Sequence, residues 1–278
     1  MELPEIVILS RQMDEALRDK TVARLEVANP KCLNMPLDEF RSALVGRTVE
    51  AVEPRGKWVF ISLDGGLTLL YNTGMGADTL YFKSEAEAPE KYHQKVVFSD
   101  GSGFTVRVYW FSYLHLVHKD RLGEHRLTAG IGPSPLDPAF TLSRFRELLD
   151  GKRRAVKGLL TDQRVLAGIG NVYIHDPLFL AGVHPLRKAN TLTDAETGKL
   201  YDSIRMVLNE SLEAGGLAYE RNFYGEMGGY GKGSYRVAYK EGEPCPVCGT
   251  AIEKIRMGST SSYVCPRCQP LPREETFP

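Results

Sequence analysis

Two Cys-x2-Cys pairs near the C-terminus constrain this chain more than any other feature. Cys245 and Cys248 form one pair, Cys265 and Cys268 the other, with sixteen residues between them. Each pair lets two thiolates reach one ion, and two such knuckles on facing hairpins complete a tetrahedron. Gly242 and Gly249 supply turn freedom at the first knuckle. Four thiolates leave no open coordination position, so the expected cofactor is one structural Zn2+ rather than a catalytic ion. Zinc ribbons serve many functions, so the motif fixes the metal and leaves the task open.

The fifth cysteine, Cys32, stands apart and is expected to be an inert thiol. A chain of 278 residues with 42% apolar and 25% charged side chains suits two medium domains plus a small appendage. No apolar run reaches the ~20 residues needed to span a bilayer. The first twenty residues carry acids at Glu2 and Glu5 where a secretory signal would be basic. A cytoplasmic protein without membrane contact is therefore expected, and grouped cysteines there read as metal ligands rather than disulfides. Net charge is zero, so composition does not announce a nucleic-acid binder. Basic residues cluster only at Lys152, Arg153 and Arg154 with Lys157.

Along the chain, apolar residues at helical spacing predict an amphipathic helix over 5–19, and Pro36 with Gly46 brackets a second over 37–46. From about 48 to 118 the texture changes to short β-type runs. They cover 48–52, 57–63, 67–72, 79–83, 95–99, 104–109 and 112–117, with hairpin signals at Asp64-Gly65-Gly66 and Asp100-Gly101. Strands at this density suggest an antiparallel sandwich or barrel. Residues 126–138 read as a Gly- and Pro-rich linker. Helices are then expected over 142–149, 156–160, 172–181 and 194–213, the last with a capping box from Thr193 to Glu196. The glycine-rich, aromatic stretch 217–235 has no period and is expected to be a mobile loop.

Three smaller features bear on chemistry. Gly168-Ile169-Gly170-Asn171 precedes a helix expected from Val172, and a Gly-rich turn feeding a helix offers backbone N–H groups to phosphate. A plain connection between helices is the alternative reading. Glu2 and Glu5 at a helix start are ordinarily solvated carboxylates favoured by the helix dipole. His115 and His118, three apart in a strand, point to opposite faces and make poor co-ligands.

Taken together, these pieces resemble the formamidopyrimidine-DNA glycosylase / endonuclease VIII family of base-excision repair enzymes. Glu2-Leu3-Pro4-Glu5 is similar to that family's terminal signature, and Lys57 after Arg55-Gly56 to its lysine near the lesion. Gly74-Met75 is similar to its strand-insertion methionine loop. Gly168 to Tyr173, with Leu178-Phe179 and Gly182 to Pro185, matches its helix-two-turn-helix, and the segment from Gly242 through Cys268 matches its zinc finger. The matches run in order from residue 2 to residue 269.

The resemblance implies an α+β protein. An N-terminal β-sandwich catalytic domain covers 1–125, a linker 126–138, a helix-two-turn-helix domain 139–220, and a flexible loop plus four-cysteine zinc ribbon 221–278. It implies a monomer, associated with the nucleoid, acting on double-stranded DNA that holds a damaged base or abasic site. The reacting nucleotide must be flipped, because its C1′ is shielded in the stack. An N-terminal amine attacks C1′ to form a Schiff base that permits strand cleavage by elimination. By the same resemblance Glu2 protonates the sugar ring oxygen, Glu5 helps place it, and Lys57 and Asn171 hold flanking phosphates, with Gly170 and Tyr173 in the same DNA-contacting turn.

The chain departs from the family pattern at three places. Met1 stands where the family has its nucleophilic proline, so the expected nucleophile is the Met1 α-amine, a primary amine partly neutral near pH 7 when unperturbed. The family's void-filling arginine segment appears as Val108 to Tyr113, leaving Trp110 or Phe111 to wedge a base step. The zinc-finger arginine falls on Thr260, with Arg256 nearby as the expected cation. Two other readings stand beside the glycosylase/lyase: a catalytically silent nucleic-acid binding protein on the same scaffold, and a zinc-ribbon interaction protein unrelated to nucleic acid.

Overall fold

A computed structural model describes residues 1–74 and 76–271 of the chain. Two compact units divide it. Met1, residues 3–130 and residues 211–230 form the first; Glu2, residues 131–210 and residues 231–271 form the second. The linear order does not display this return of 211–230 to the first unit.

The first unit starts with helix α1 (Leu3–Leu17), which buries Ile6, Leu9, Met13 and Leu17 on one stripe. Strand β1 (Val22–Val27) and helix α2 (Leu37–Leu44) follow, then β2 (Val49–Arg55), β3 (Trp58–Leu63), β4 (Leu67–Asn72), β5 (Ala77–Phe82), β6 (Gln94–Phe98), β7 (Gly103–Val108) and β8 (Tyr113–His118). They make two antiparallel four-stranded sheets, ordered β1-β6-β7-β5 and β2-β3-β4-β8. Leu25, Val96, Phe104 and Val106 of one sheet share a core with Val59, Ile61, Leu69 and Leu116 of the other and with the stripe of α1. That is the expected sandwich. Both hairpin signals form turns, joining β3 to β4 and β6 to β7.

β1 is the strand that the sequence pattern conceals. A register shift between Val22 and Arg24 puts Val22 and Leu25, three residues apart, both in the core. That bulge breaks the period-2 alternation by which a strand is recognised.

The stretch 217–230 differs from the mobile loop expected of it. Phe223 is fully buried in the sandwich core, its N–H donates to Gln12 Oε1 at 2.9 Å, and its carbonyl accepts from Tyr81 N–H at 2.8 Å. Bridges pair Leu217 with Tyr230 and Arg221 with Met227. The glycines serve close approach here: a Cβ on Gly228 would lie 2.1 Å from the Gly216 carbonyl.

The second unit contains α3 (Leu142–Leu149), α4 (Val156–Leu160), α5 (His175–Leu180) and α6 (Asp194–Glu213), the final turn of α6 grouping with the first unit. The capping box at Thr193 forms as expected: Glu196 N–H donates to Thr193 Oγ1 at 3.2 Å, and Thr193 N–H to Glu196 Oε2 at 2.8 Å. Asp176 on α5 accepts the N–H groups of Arg236, Val237 and Ala238, which fixes the entry to the ribbon. The ribbon hairpin pairs β9 (Glu253–Met257) with β10 (Thr260–Val264). Among the described residues, no helix is long and apolar enough to cross a membrane.

Candidate functional site

The sulfurs of Cys245, Cys248, Cys265 and Cys268 all lie within 4.8 Å of one another. Cys245 and Cys265 are buried with Phe179, Val237 and Ile252 in a small core of their own. Four convergent thiols in an apolar pocket fit a tetrahedral ion and offer no position for substrate, so this is a structural zinc site.

In the first unit, Met1 is 9% exposed and its α-nitrogen lies 3.4 Å from Glu220 Oε1. Glu220 is a residue that the sequence pattern did not single out. Glu5, in the first turn of α1, is buried, and its Oε1 accepts the Leu217 N–H at 3.2 Å. Glu5 is thus a buried anchor rather than the solvated carboxylate expected at a helix start. Gly216 permits that anchor: its φ is +88°, and a Cβ there would press on Glu5 at 3.4 Å.

Lys57 sits at the tight turn from β2 into β3, half-buried, with its carbonyl accepting from Asn72 Nδ2 at 2.7 Å. Met75 lies outside the described residues. Its neighbour Gly74 runs so close to Phe111 that a Cβ would fall 1.7 Å from the Phe111 carbonyl oxygen, and its φ is +62°. Trp110 and Phe111 occupy the connection from β7 to β8, where Trp110 is 79% exposed and Phe111 39%. At the base of β8, Trp58 stacks on Tyr113, and His115 Nδ1 meets His125 Nε2 at 2.8 Å. Burial, then the neighbouring His125, push the His115 pKa down to about 4.

In the second unit the Gly168–Asn171 turn does not feed a helix at Val172, because α5 begins only at His175. The Gly168 N–H donates to Gln163 Oε1 at 2.8 Å, and the donors from Gly170 onward turn to Glu2. Glu2 Oε2 accepts from Gly170 at 2.6 Å and from Tyr173 at 3.4 Å, while Oε1 accepts from Val172 at 3.1 Å. The acceptor in this cradle is the chain's own Glu2 carboxyl group. The Tyr173 side chain is buried. Asn171 Oδ1 accepts from Lys157 Nζ at 2.8 Å, and its Nδ2 donates to the Tyr239 hydroxyl at 3.4 Å.

Lys157 parts company with the basic run it follows in sequence. Lys152, Arg153 and Arg154 are exposed, whereas Lys157 is buried and donates also to the Ser261 carbonyl at 2.6 Å. Burial lowers its pKa to about 8. Arg256 lies exposed on β9 and donates to the Gly258 carbonyl at 3.3 Å. No sequence pattern marks Lys157 and Tyr239 as neighbours of Asn171, because their approach depends on packing between segments far apart in sequence.

Three family models match the chain. The N-terminal domain of formamidopyrimidine-DNA glycosylase covers residues 1–109, its H2TH domain covers 131–222, and the zinc finger found in FPG and IleRS covers 242–271. The formamidopyrimidine-DNA glycosylase of Chloroflexus aggregans is 35% identical over 97% of this chain and 98% of its own. That of Herpetosiphon aurantiacus is 36% identical over 96% and 99%. Among solved structures, a Lactococcus lactis FPG mutant in complex with a Fapy-dG containing DNA superimposes with a TM-score of 0.88 at 27% identity, covering 98% of this chain and 100% of the other. The MutM (FPG) protein of Thermus thermophilus gives 0.85 at 30%, covering 97% and 98%.

Proposed function

Because the chain belongs to the formamidopyrimidine-DNA glycosylase family, we propose that it excises damaged bases from double-stranded DNA and cleaves the strand at the abasic site through the Met1 α-amine. Three N–H donors holding the Glu2 carboxylate are the observation that carries this reading. A group that transfers a proton at one fixed atom of a flipped nucleotide needs a fixed orientation, and three donors supply it. Glu2 also follows the attacking amine directly in the chain.

Around this pair, Glu5 orders the start of α1 and Lys57 contacts a phosphate beside the lesion. Asn171 contacts the backbone of the same strand through its side chain, and Arg256 reaches a phosphate from the ribbon. Trp110 and Phe111 enter the duplex at the extruded base, helped by Met75. The partner is duplex DNA with a damaged base or abasic site, in keeping with relatives solved on abasic-site and Fapy-dG DNA. The protein acts as a monomer in the cytoplasm, at the nucleoid. The zinc holds the ribbon's shape and takes no part in the reaction.

The test is borohydride trapping on an abasic duplex. The untagged chain forms a covalent adduct and cleaves; a chain with one extra N-terminal residue binds but does neither, since the amine moves by ~3.3–3.6 Å and ~1 Å already costs about a hundredfold. Equal cleavage by both proteins would move the nucleophile to Lys57. Binding without cleavage by either would leave a silent scaffold, a reading that no specific contact favours.

A further inference from the structure

The Met1 α-nitrogen and the Glu220 carboxylate form an ion pair at 3.4 Å, with side chains only 2% and 17% exposed. We propose that Glu220 is the counter-ion that keeps a Met1 Schiff base protonated, and so makes a primary amine serve where the family pattern has a proline. The proposal rests on the Met1-amine reading above and adds a residue to it.

The chemistry sets the requirement. The ammonium gives up a proton, the freed lone pair bonds to the C1′ aldehyde of the abasic site, and that proton with a second one from nitrogen passes to the former carbonyl oxygen. C1′–O then breaks as water leaves, and nitrogen keeps one hydrogen and the positive charge. Loss of the C2′ proton to solvent water sends the C–H electron pair toward nitrogen as an enamine. The enamine then expels the 3′ phosphate, and nitrogen regains its charge. An imine from a secondary amine carries that charge permanently. An imine from a primary amine can shed its last proton and stop draining electrons. A carboxylate in a partly desolvated position beside the nitrogen favours the charged form, because attraction between unit charges strengthens as water is excluded.

The framework that holds the pair belongs to one unit. Glu220 N–H donates to the Leu217 carbonyl at 3.1 Å, and Leu217 N–H is in turn bound by Glu5 of α1. Phe223, three residues on, is locked in the core. α1, which begins two residues after the amine, thus also fixes the base of the segment that carries the counter-ion. Glu5 is the other carboxylate of this framework, and its Oε1 is committed to Leu217.

Two reductants read the protonation of the imine directly: cyanoborohydride reduces the iminium selectively, whereas borohydride also captures material that has lost the proton. On a preformed abasic duplex, the untagged wild-type chain should be trapped by both. Glu220→Gln should lose about tenfold or more of its cyanoborohydride adduct relative to its borohydride adduct. Its single-turnover cleavage should fall by a similar factor, with affinity for an uncleavable abasic analogue unchanged. Glu220→Asp, which retains the charge and shortens the reach, should recover part of both, and it serves if the glutamine variant folds poorly. Equal trapping by both reductants in Glu220→Gln overturns the counter-ion role while leaving the Schiff base standing. Failure of the wild-type chain to form any adduct overturns the amine reading and this proposal together.

Discussion

Glu2 Oε2 accepts the backbone N–H of Gly170 at 2.6 Å, joining residues 168 apart in the chain. A glycine turn that looks from its sequence like a phosphate cradle is filled by the protein's own carboxylate. Glu2→Gln should therefore do two things. Base excision should be lost, and stability should fall by ~1.5–3 kcal/mol, because an amide turns a donor toward N–H groups and forfeits a charge-assisted bond. Urea unfolding beside a glycosylase assay checks both; full stability in the variant would show that the three N–H contacts carry little energy.

Zinc removal should unfold the ribbon and leave the sandwich intact, because Cys245 and Cys265 supply much of the ribbon's small core. Metal analysis should find one zinc per chain. Chelation should release it with loss of the β9–β10 amide resonances and of DNA affinity, while β1–β8 resonances stay. Iron in place of zinc, or a ribbon indifferent to chelation, would contradict the site.

Phe223→Ala should cost ~3–5 kcal/mol, the penalty of emptying a core aromatic site, rather than the near-zero cost of a change in a free loop. Thermal unfolding of the purified variant decides between them. Protease sensitivity should appear within 217–230 if the segment detaches.

Burial, followed by the Lys157 charge, lowers the His175 pKa to about 3, and its Nε2 finds no hydrogen-bond partner among the described residues. An unfolded histidine takes up its proton near pH 6.5 while the folded one does not. The stabilising effect is thus fully present above about pH 6.5 and falls as pH drops toward 3, at about 1.4 kcal/mol per pH unit. Replacing His175 with Gln should flatten the stability profile between pH 6.5 and 4.5 by about that slope. An unchanged slope would assign the acid sensitivity to other groups, His115 among them.

Trp110→Ala should weaken binding to abasic duplex without changing the melting temperature, since the ring is 79% exposed and holds nothing in the core. Lys57→Ala should instead reduce the salt dependence of binding by about one unit of slope. Binding isotherms at several salt concentrations separate the two effects. A Trp110 variant that binds like the wild type removes the wedge.

The sequence by itself determined what depends on local spacing. Four cysteines in two knuckles set the metal, alternating apolar runs with Asp-Gly turns set seven of the eight sandwich strands, and Thr193 with Glu196 set the start of α6. It also carried the family, because the terminal acids, the Gly168–Tyr173 turn and the ribbon occur in order. Only tertiary structure decided where the acids and amines go. Glu2 reaches N–H groups at 170–173, Glu5 reaches Leu217, and Glu220 reaches Met1, over separations of about two hundred residues for which no sequence period exists. The segment 217–230 shows the same limit. Its glycines read as freedom, yet positive φ and close backbone approach are what let the chain pack tightly at Gly216 and Gly228. A composition rule sees a missing side chain; only the fold shows what occupies its place.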